Sequence, residues 1–273
     1  MRIFISVDME GVAGVVHTDH TKRDGLDYEQ ARRLMTNEAN AAVKGALKAG
    51  AQEVVVNDSH GTMCNIYVSS LSSQAKLISG TPKRLGMMEG INSNFDAAIF
   101  IGYHTRSGSQ GILNHSYNSR VVRGIKINGE DYGEFGMNAL VAGDHGVPVV
   151  FVSGCHLLIE EAKNHIKNIH SAEVKRSINR VTSENLHPDV ACERIEKGVV
   201  HALQNKSLYQ SYQLNANNLT FDLMFKDTLM ADVAATLPII EKSDLECVRF
   251  NTNNITNGYL IIRSLIMMTN NYA

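Results

Sequence analysis

The chain contains no tryptophan and only four prolines, and no proline- or glycine-rich linker interrupts its 273 residues. Its four cysteines, Cys64, Cys155, Cys192 and Cys247, are scattered without any C-x-x-C pairing. That spacing excludes a zinc knuckle and a dense disulfide framework, and it makes a reducing, cytoplasmic setting the expectation. Charge of one sign is missing too: 26 Lys and Arg face 28 Asp and Glu, with no basic stripe or run. A dedicated nucleic-acid-binding protein is therefore not expected, whereas small charged substrates stay open. No apolar stretch approaches the ~20 residues of a membrane span. "YLIIRSLIMM" comes closest, and Arg263 interrupts it; the N-terminal apolar run is cut by Asp8, far short of a secretory core. Neither a membrane nor a nucleic-acid partner is expected. Also lacking are G-x-S-x-G, G-x-x-x-x-G-K-[ST], and a G-x-G-x-x-G after a strand.

What is present is an alternation of short apolar runs and helical patterns. "RIFI" opens as a strand, and "EVVVND", "AKLI", "AAIFIGY" and "VPVVFVSG" repeat the type. Between the first two, apolar residues from Ala31 to Leu47 recur at helical spacing, and Gly50 supplies a stop. Such βαβ alternation predicts an α/β fold with a mostly parallel sheet flanked by helices. Asn128-Gly129 between strand-like residues predicts a hairpin. Beyond Cys155, Leu157–Lys167, Asp189–Gln204 and Ile255–Thr269 read as helices, and "LTFDLMF" and "LECVRF" as strands. The asparagine-rich "LNANNL" and "NTNNITN" read as loops. The expected organisation is an α/β metal-binding domain over residues 1–155 and a smaller mixed α+β C-terminal part, 156–273, packed on it.

Ligands of open parallel sheets bind beyond the carboxyl ends of the strands, so the residues following each strand matter most. Asp8 and Glu10 follow the first strand, Asp58 and His60 the second, and His104 the strand "AAIFIGY". His115 lies in a polar loop, and Glu134 opens the helix "GEFGMNA". Asp8 and Glu10 are two apart, the side-chain period of a strand, so an extended backbone would face both the same way. Two such carboxylates repel unless a cation lies between them. Each group has a plain alternative, as a solvated edge acid, a hydrogen-bonded histidine or a helix-terminus acid. Five of them at strand ends point to a shared site, and carboxylates with imidazoles suit zinc or a related divalent ion. His17 and His20 of "HTDH" read as capping or solvated residues, Cys155 as a buried hydrophobe, and the methionines of "GMME" and "IMM" as core packing.

"SVDMEGVAG", "VNDSHG", "ISG", "MMEG", "IGYHTR", "NHS", "GEFGMNA" and "VPVVFVSG" occur together, in this order. In these blocks the chain resembles the bacterial zinc-dependent D-aminopeptidases of the dipeptide-operon (DppA) type. The likeness runs to about residue 155, is extended to about 206 by "AEVKRSINR" and "HALQNK", and is loose over the last 65 or so residues. The resemblance implies two zinc ions per subunit on Asp8, Glu10, His60, His104 and Glu134, with Asp8 as the bridge. It implies a catalytic role for His115, as nucleophile or as acid/base beside metal-activated water, and a ring-shaped homodecamer. It also implies cleavage of short peptides with D-residues at the N-terminus, such as D-Ala-D-Ala. Asn114, Arg106 and Asn138 are the candidate substrate contacts. Relatives often carry an aspartate where this chain has Gly154-Cys155, which puts the local substrate contacts in question. The alternative is a dinuclear amidase or phosphoesterase acting on another small metabolite; a ring-forming binding protein without catalysis is the non-enzymatic one.

Overall fold

The computed structural model describes residues 1–214 and 218–273. In chain order the strands are β1 (Arg2–Val7), β2 (Glu53–Asp58), β3 (Ala75–Ile78), β4 (Ala97–Tyr103), β5 (Val122–Ile127), β6 (Glu130–Tyr132), β7 (Val149–Cys155), β8 (His170–Asn179), β9 (Thr182–Asn185), β10 (Leu219–Phe225), β11 (Glu241–Asp244) and β12 (Cys247–Thr252). The helices are α1 (Thr18–Thr21), α2 (Tyr28–Lys48), α3 (Glu134–Asp144), α4 (His156–His165), α5 (Pro188–Gln204), α6 (Thr228–Ala234) and α7 (Ile255–Thr269). None of them is long and apolar enough to cross a membrane.

Seven strands form one sheet in the order β3-β2-β1-β4-β7-β8-β9. Every pairing in it is parallel except β8 with β9. Helices flank the sheet, so its central strands are buried: β4 and β7 have no exposed residue. α2 and α5 pack on each other and over β1, β2, β7 and β8, while α3 and α4 pack against β4, β7 and β8. Pro188 opens α5 at its first position, where a missing N–H costs nothing.

Five strands form a second, antiparallel sheet in the order β11-β12-β10-β5-β6, on which α6 and α7 pack. The Asn128-Gly129 hairpin joins β5 to β6 as expected, but it pairs with β10 from far down the chain. Sheet membership thus crosses residue 155 in both directions, with β8 and β9 in the first sheet and β5 and β6 in the second. "NTNNITN" differs from its reading as a loop. β12 continues to Thr252 and α7 starts at Ile255, where the Asn254 side chain accepts from the Asn257 N–H as a helix cap. "LNANNL" falls in part on residues 215–217, outside the described residues. Of the "IMM" methionines, Met267 is exposed rather than core.

Candidate metal centre and active site

Three adjacent strands deliver the cluster. β2, β1 and β4 run side by side, and their carboxyl ends place His60, Asp8 and His104 along one edge. β1 stops at Val7, so the extended backbone expected to align Asp8 with Glu10 does not continue. The Val12 N–H donates to the Met9 carbonyl at 3.1 Å, closing a turn, and Met9 is buried in the core. Glu10 is carried back to Asp8 by this turn rather than by strand periodicity. Gly11 makes it possible: its N–H donates to the Gly102 carbonyl at 2.7 Å, and a Cβ there would sit 1.9 Å from the Tyr103 carbonyl oxygen. Glu134 enters as the first residue of α3.

All five acids and histidines, with His115, come together. His60 Nδ1 lies 3.0 Å from Glu10 Oε2 and 3.4 Å from Asp8 Oδ1. His104 Nε2 lies 3.5 Å from Asp8 Oδ2 and 3.4 Å from Glu134 Oε1. His115 Nε2 is 3.7 Å from Glu134 Oε1, and its ring stacks on that of His104 with centroids 4.3 Å apart. Asp8, Glu10 and His104 form one group with donor atoms at ligand spacing, and His104, His115 and Glu134 form a second.

Each imidazole is oriented by the backbone. His60 Nε2 donates to the Thr21 carbonyl, His104 Nδ1 to the Thr105 carbonyl and His115 Nδ1 to the Leu113 carbonyl, all at 2.9 Å. A carbonyl only accepts, so these nitrogens carry the hydrogen and the opposite nitrogen of each ring is turned on the carboxylates. A lone pair aimed at a carboxylate is repulsive unless a proton or a metal ion stands between. Asp8 Oδ2 and His104 Nε2 are buried with no partner among the described residues. Such a pair of orphaned, facing donors, with each histidine's other nitrogen anchored, is what a bound divalent cation needs.

Protonation supplies the missing charge when no cation does. Burial pushes Asp8 up to about 7, helped by the charge of Glu10. Burial opposes ionisation of Glu10 and Glu134 as well, but His60 and His104 outweigh it and hold both below the ordinary carboxylate range. Against burial, the facing carboxylates raise His60 well above its usual value and His104 to about 10. His115 goes the other way, lowered by burial and by its stacked neighbour His104.

The cluster opens into a cavity of about 440 Å³, whose wall includes Asp8, Glu10, His60, His115 and Glu134. Asn114, Arg106 and Asn138 do not border it. The Asn114 amide donates to the Ser109 carbonyl, the Arg106 guanidinium lies 3.5 Å from Asp131, and Asn138 is fully buried against Tyr103 and Tyr117. Asp58, an acid after a strand like Asp8, instead accepts from the Ile66 N–H and the Asn65 side chain and shapes the loop behind His60. His17 caps α1 by accepting from the Asp19 N–H, and His20 accepts from Val16. Cys155 is buried at the end of β7, in register with Lys175. That lysine escaped the reading of the sequence: wholly buried, it donates from β8 to the carbonyls of Glu10 and Val15.

An α/β sheet with an acid–imidazole cluster at its carboxyl edge, opening into a cavity, is the architecture of an enzyme of the metallohydrolase kind. The peptidase M55 family model, described as D-aminopeptidase, matches residues 1–264. A D-aminopeptidase of Bacillus subtilis (strain 168) is 35% identical over 273 residues, 98% of this chain and 99% of that protein. The solved structure of the Zn-dependent D-aminopeptidase DppA from Bacillus subtilis, described as a self-compartmentalizing protease, superposes with a TM-score of 0.95 at 33% identity, covering 98% of this chain and 97% of that one. The chain belongs to the D-aminopeptidase family of peptidases.

Proposed function

We propose that the protein is a zinc-dependent D-aminopeptidase with two zinc ions per subunit, held by Asp8, Glu10, His60, His104 and Glu134. The observation that carries this reading is the set of backbone-anchored imidazoles turned on carboxylates, with Asp8 Oδ2 and His104 Nε2 buried and unpartnered. Zinc bound there supplies a Lewis acid for the scissile carbonyl and lowers the pKa of water toward neutrality. The substrates are short peptides with an N-terminal D-residue, D-Ala-D-Ala among them. Zinc dependence in the DppA of Bacillus subtilis supports the choice of metal.

His115 carries the proton work. Its Nδ1–H is engaged by Leu113, which leaves Nε2 as the basic nitrogen beside Glu134 at the cavity wall. With a side chain 17% exposed, it is the most accessible of the three imidazoles, against 9% for His60 and 1% for His104. A neutral imidazole there accepts a proton from the attacking water and returns it to the leaving amine. Glu134 orients that ring.

Metal analysis of the purified protein, coupled to a panel of D- and L-dipeptides, amino-acid amides and p-nitrophenyl phosphate, tests the reading. Zinc in stoichiometric amount and D-dipeptide hydrolysis lost on chelation and regained with zinc are expected. Full activity of the metal-free protein would defeat it, and phosphatase turnover alone would favour the phosphoesterase alternative. His115→Ala is expected to lower kcat by about a hundred- to ten-thousand-fold while zinc content is kept. Parallel loss of zinc would make His115 a ligand instead.

A further inference from the structure

The cavity is polarised. Its buried wall carries Asp8, Glu10 and Glu134, while Lys22, Arg180 and Arg263 line it closer to solvent. None of these three cations forms an ion pair among the described residues, whereas the other half-buried arginines, Arg2, Arg32 and Arg106, each do. Arg263 is the most enclosed of them. It projects from the middle of α7, the apolar helix it interrupts in sequence. One guanidinium nitrogen donates to the Lys83 carbonyl at 3.0 Å, and the group stands 5.9 Å from the Tyr259 ring centre. Its Nε is buried without a partner among the described residues. Gly86 leaves the space: a Cβ there would lie 2.1 Å from Arg263 Nη1. A cation brought to a cavity wall at that cost in packing, with donors unspent, is a seat for an anion.

Arg263 and the cluster share the wall of this one cavity. Tyr117 bridges the two ends, its N–H donating to Glu134 Oε1 at 2.6 Å and its ring meeting Tyr259 edge-on at 5.9 Å. An extended peptide advances about 3.5 Å per residue, so a di- or tripeptide spans roughly 7–10 Å of that wall.

We propose that Arg263, assisted at the rim by Arg180 and Lys22, holds the C-terminal carboxylate of a short peptide whose N-terminal residue lies against the acid–imidazole cluster. The contact makes the enzyme selective for free-acid di- and tripeptides over C-terminally blocked ones. The inference rests on the aminopeptidase reading above. A planar guanidinium and a carboxylate make charge-assisted, forked hydrogen bonds, which an amide cannot replace.

The test compares kcat/KM for D-Ala-D-Ala and for D-alanyl-D-alanine amide, on the zinc-loaded protein and on Arg263→Gln and Arg263→Lys. The native enzyme is expected to prefer the acid by about ten- to a hundredfold. Arg263→Gln is expected to bring that ratio close to one, chiefly through KM for the acid, and Arg263→Lys to keep an intermediate ratio. An acid-to-amide ratio near one in the native enzyme overturns the proposal without any variant. So does a Gln variant in which both substrates suffer equally, since that is how a merely structural arginine behaves. If the zinc-loaded native protein cleaves neither peptide, the peptidase reading itself has failed and the carboxylate seat falls with it.

Discussion

The histidines show how little a residue's type says of its task. His104 and His165 are both enclosed, yet carboxylates raise one to about 10 while burial, aided by the charge of Arg106, lowers the other to about 4. His165 stacks on Tyr132 with centroids 5.0 Å apart and hydrogen-bonds the Tyr212 hydroxyl at 3.1 Å. Below its ordinary value of 6.5 the unfolded chain binds a proton there that the folded chain refuses. Its contribution to stability is therefore complete above pH 6.5 and is lost as pH falls toward 4, by about 3 kcal/mol over that window. Urea denaturation across pH should show His165→Gln losing less stability than the native protein between pH 6.5 and 4. Parallel curves would show that His165 is protonated in the fold. Sequence proximity pointed to His60 and His104 as site residues because they follow strands, whereas His115 sits in a polar loop and owed its role to the resemblance. Nothing in the chain's order could separate Asp8 from Asp58, since only the loop closing on Asp58 makes it structural.

The strand-end loop from Asp8 to Val15 depends on elements that are remote in sequence. β4 comes so close to Gly11 that a side chain cannot fit. From β8, Lys175 ties down two carbonyls, and from α2, Glu38 accepts from the Ala13 N–H at 2.8 Å. Burial lifts Glu38 to about 7 and lowers Lys175 to about 8, each shift partly offset by the other's charge. Gly11→Ala is expected to destabilise by at least about 2 kcal/mol, because backbone must move to admit the methyl group. Lys175→Met should cost about 3 kcal/mol, having left two buried carbonyls without their charged donor, and should weaken zinc retention. Calorimetry and metal titration read both; an unchanged zinc affinity would show that the lysine serves the fold alone. Elements with a clear period were legible: α2, α5 and α7 lie where apolar spacing put them. The turn after β1 was not, because its cause is the carbonyl of Tyr103, some ninety residues on.

Assembly concerns the molecule's surface. Ile239 and Leu245 are 65% and 70% exposed beside β11, and Leu229 on α6 is also exposed. The Bacillus subtilis DppA is described as self-compartmentalizing, and a ring-shaped homodecamer is what the resemblance implies for this chain. Light scattering should return a mass many times the 30.0 kDa of one chain, and a monomer would exclude the ring. Enclosure in such a ring would also keep folded proteins from the cavity, in line with short peptides as substrates.

The order of apolar runs, helical periods and strand-end acids was enough to point to a mostly parallel α/β sheet and to a group of acids and histidines that held the six residues of the cluster with Asp58 besides; the resemblance singled out the six. The sheet and the group depend on local patterning, which a single sequence carries in full. Tertiary structure alone decided that β5 and β6 join the C-terminal strands, that Asn114, Arg106 and Asn138 stand away from the cavity, and that Arg263 enters it. Those outcomes depend on contacts at every sequence range, from Asn114 with Ser109 nearby to Arg263 with Lys83 far off in the chain, and a helix interrupted by one arginine does not say in its own spacing what the arginine will face.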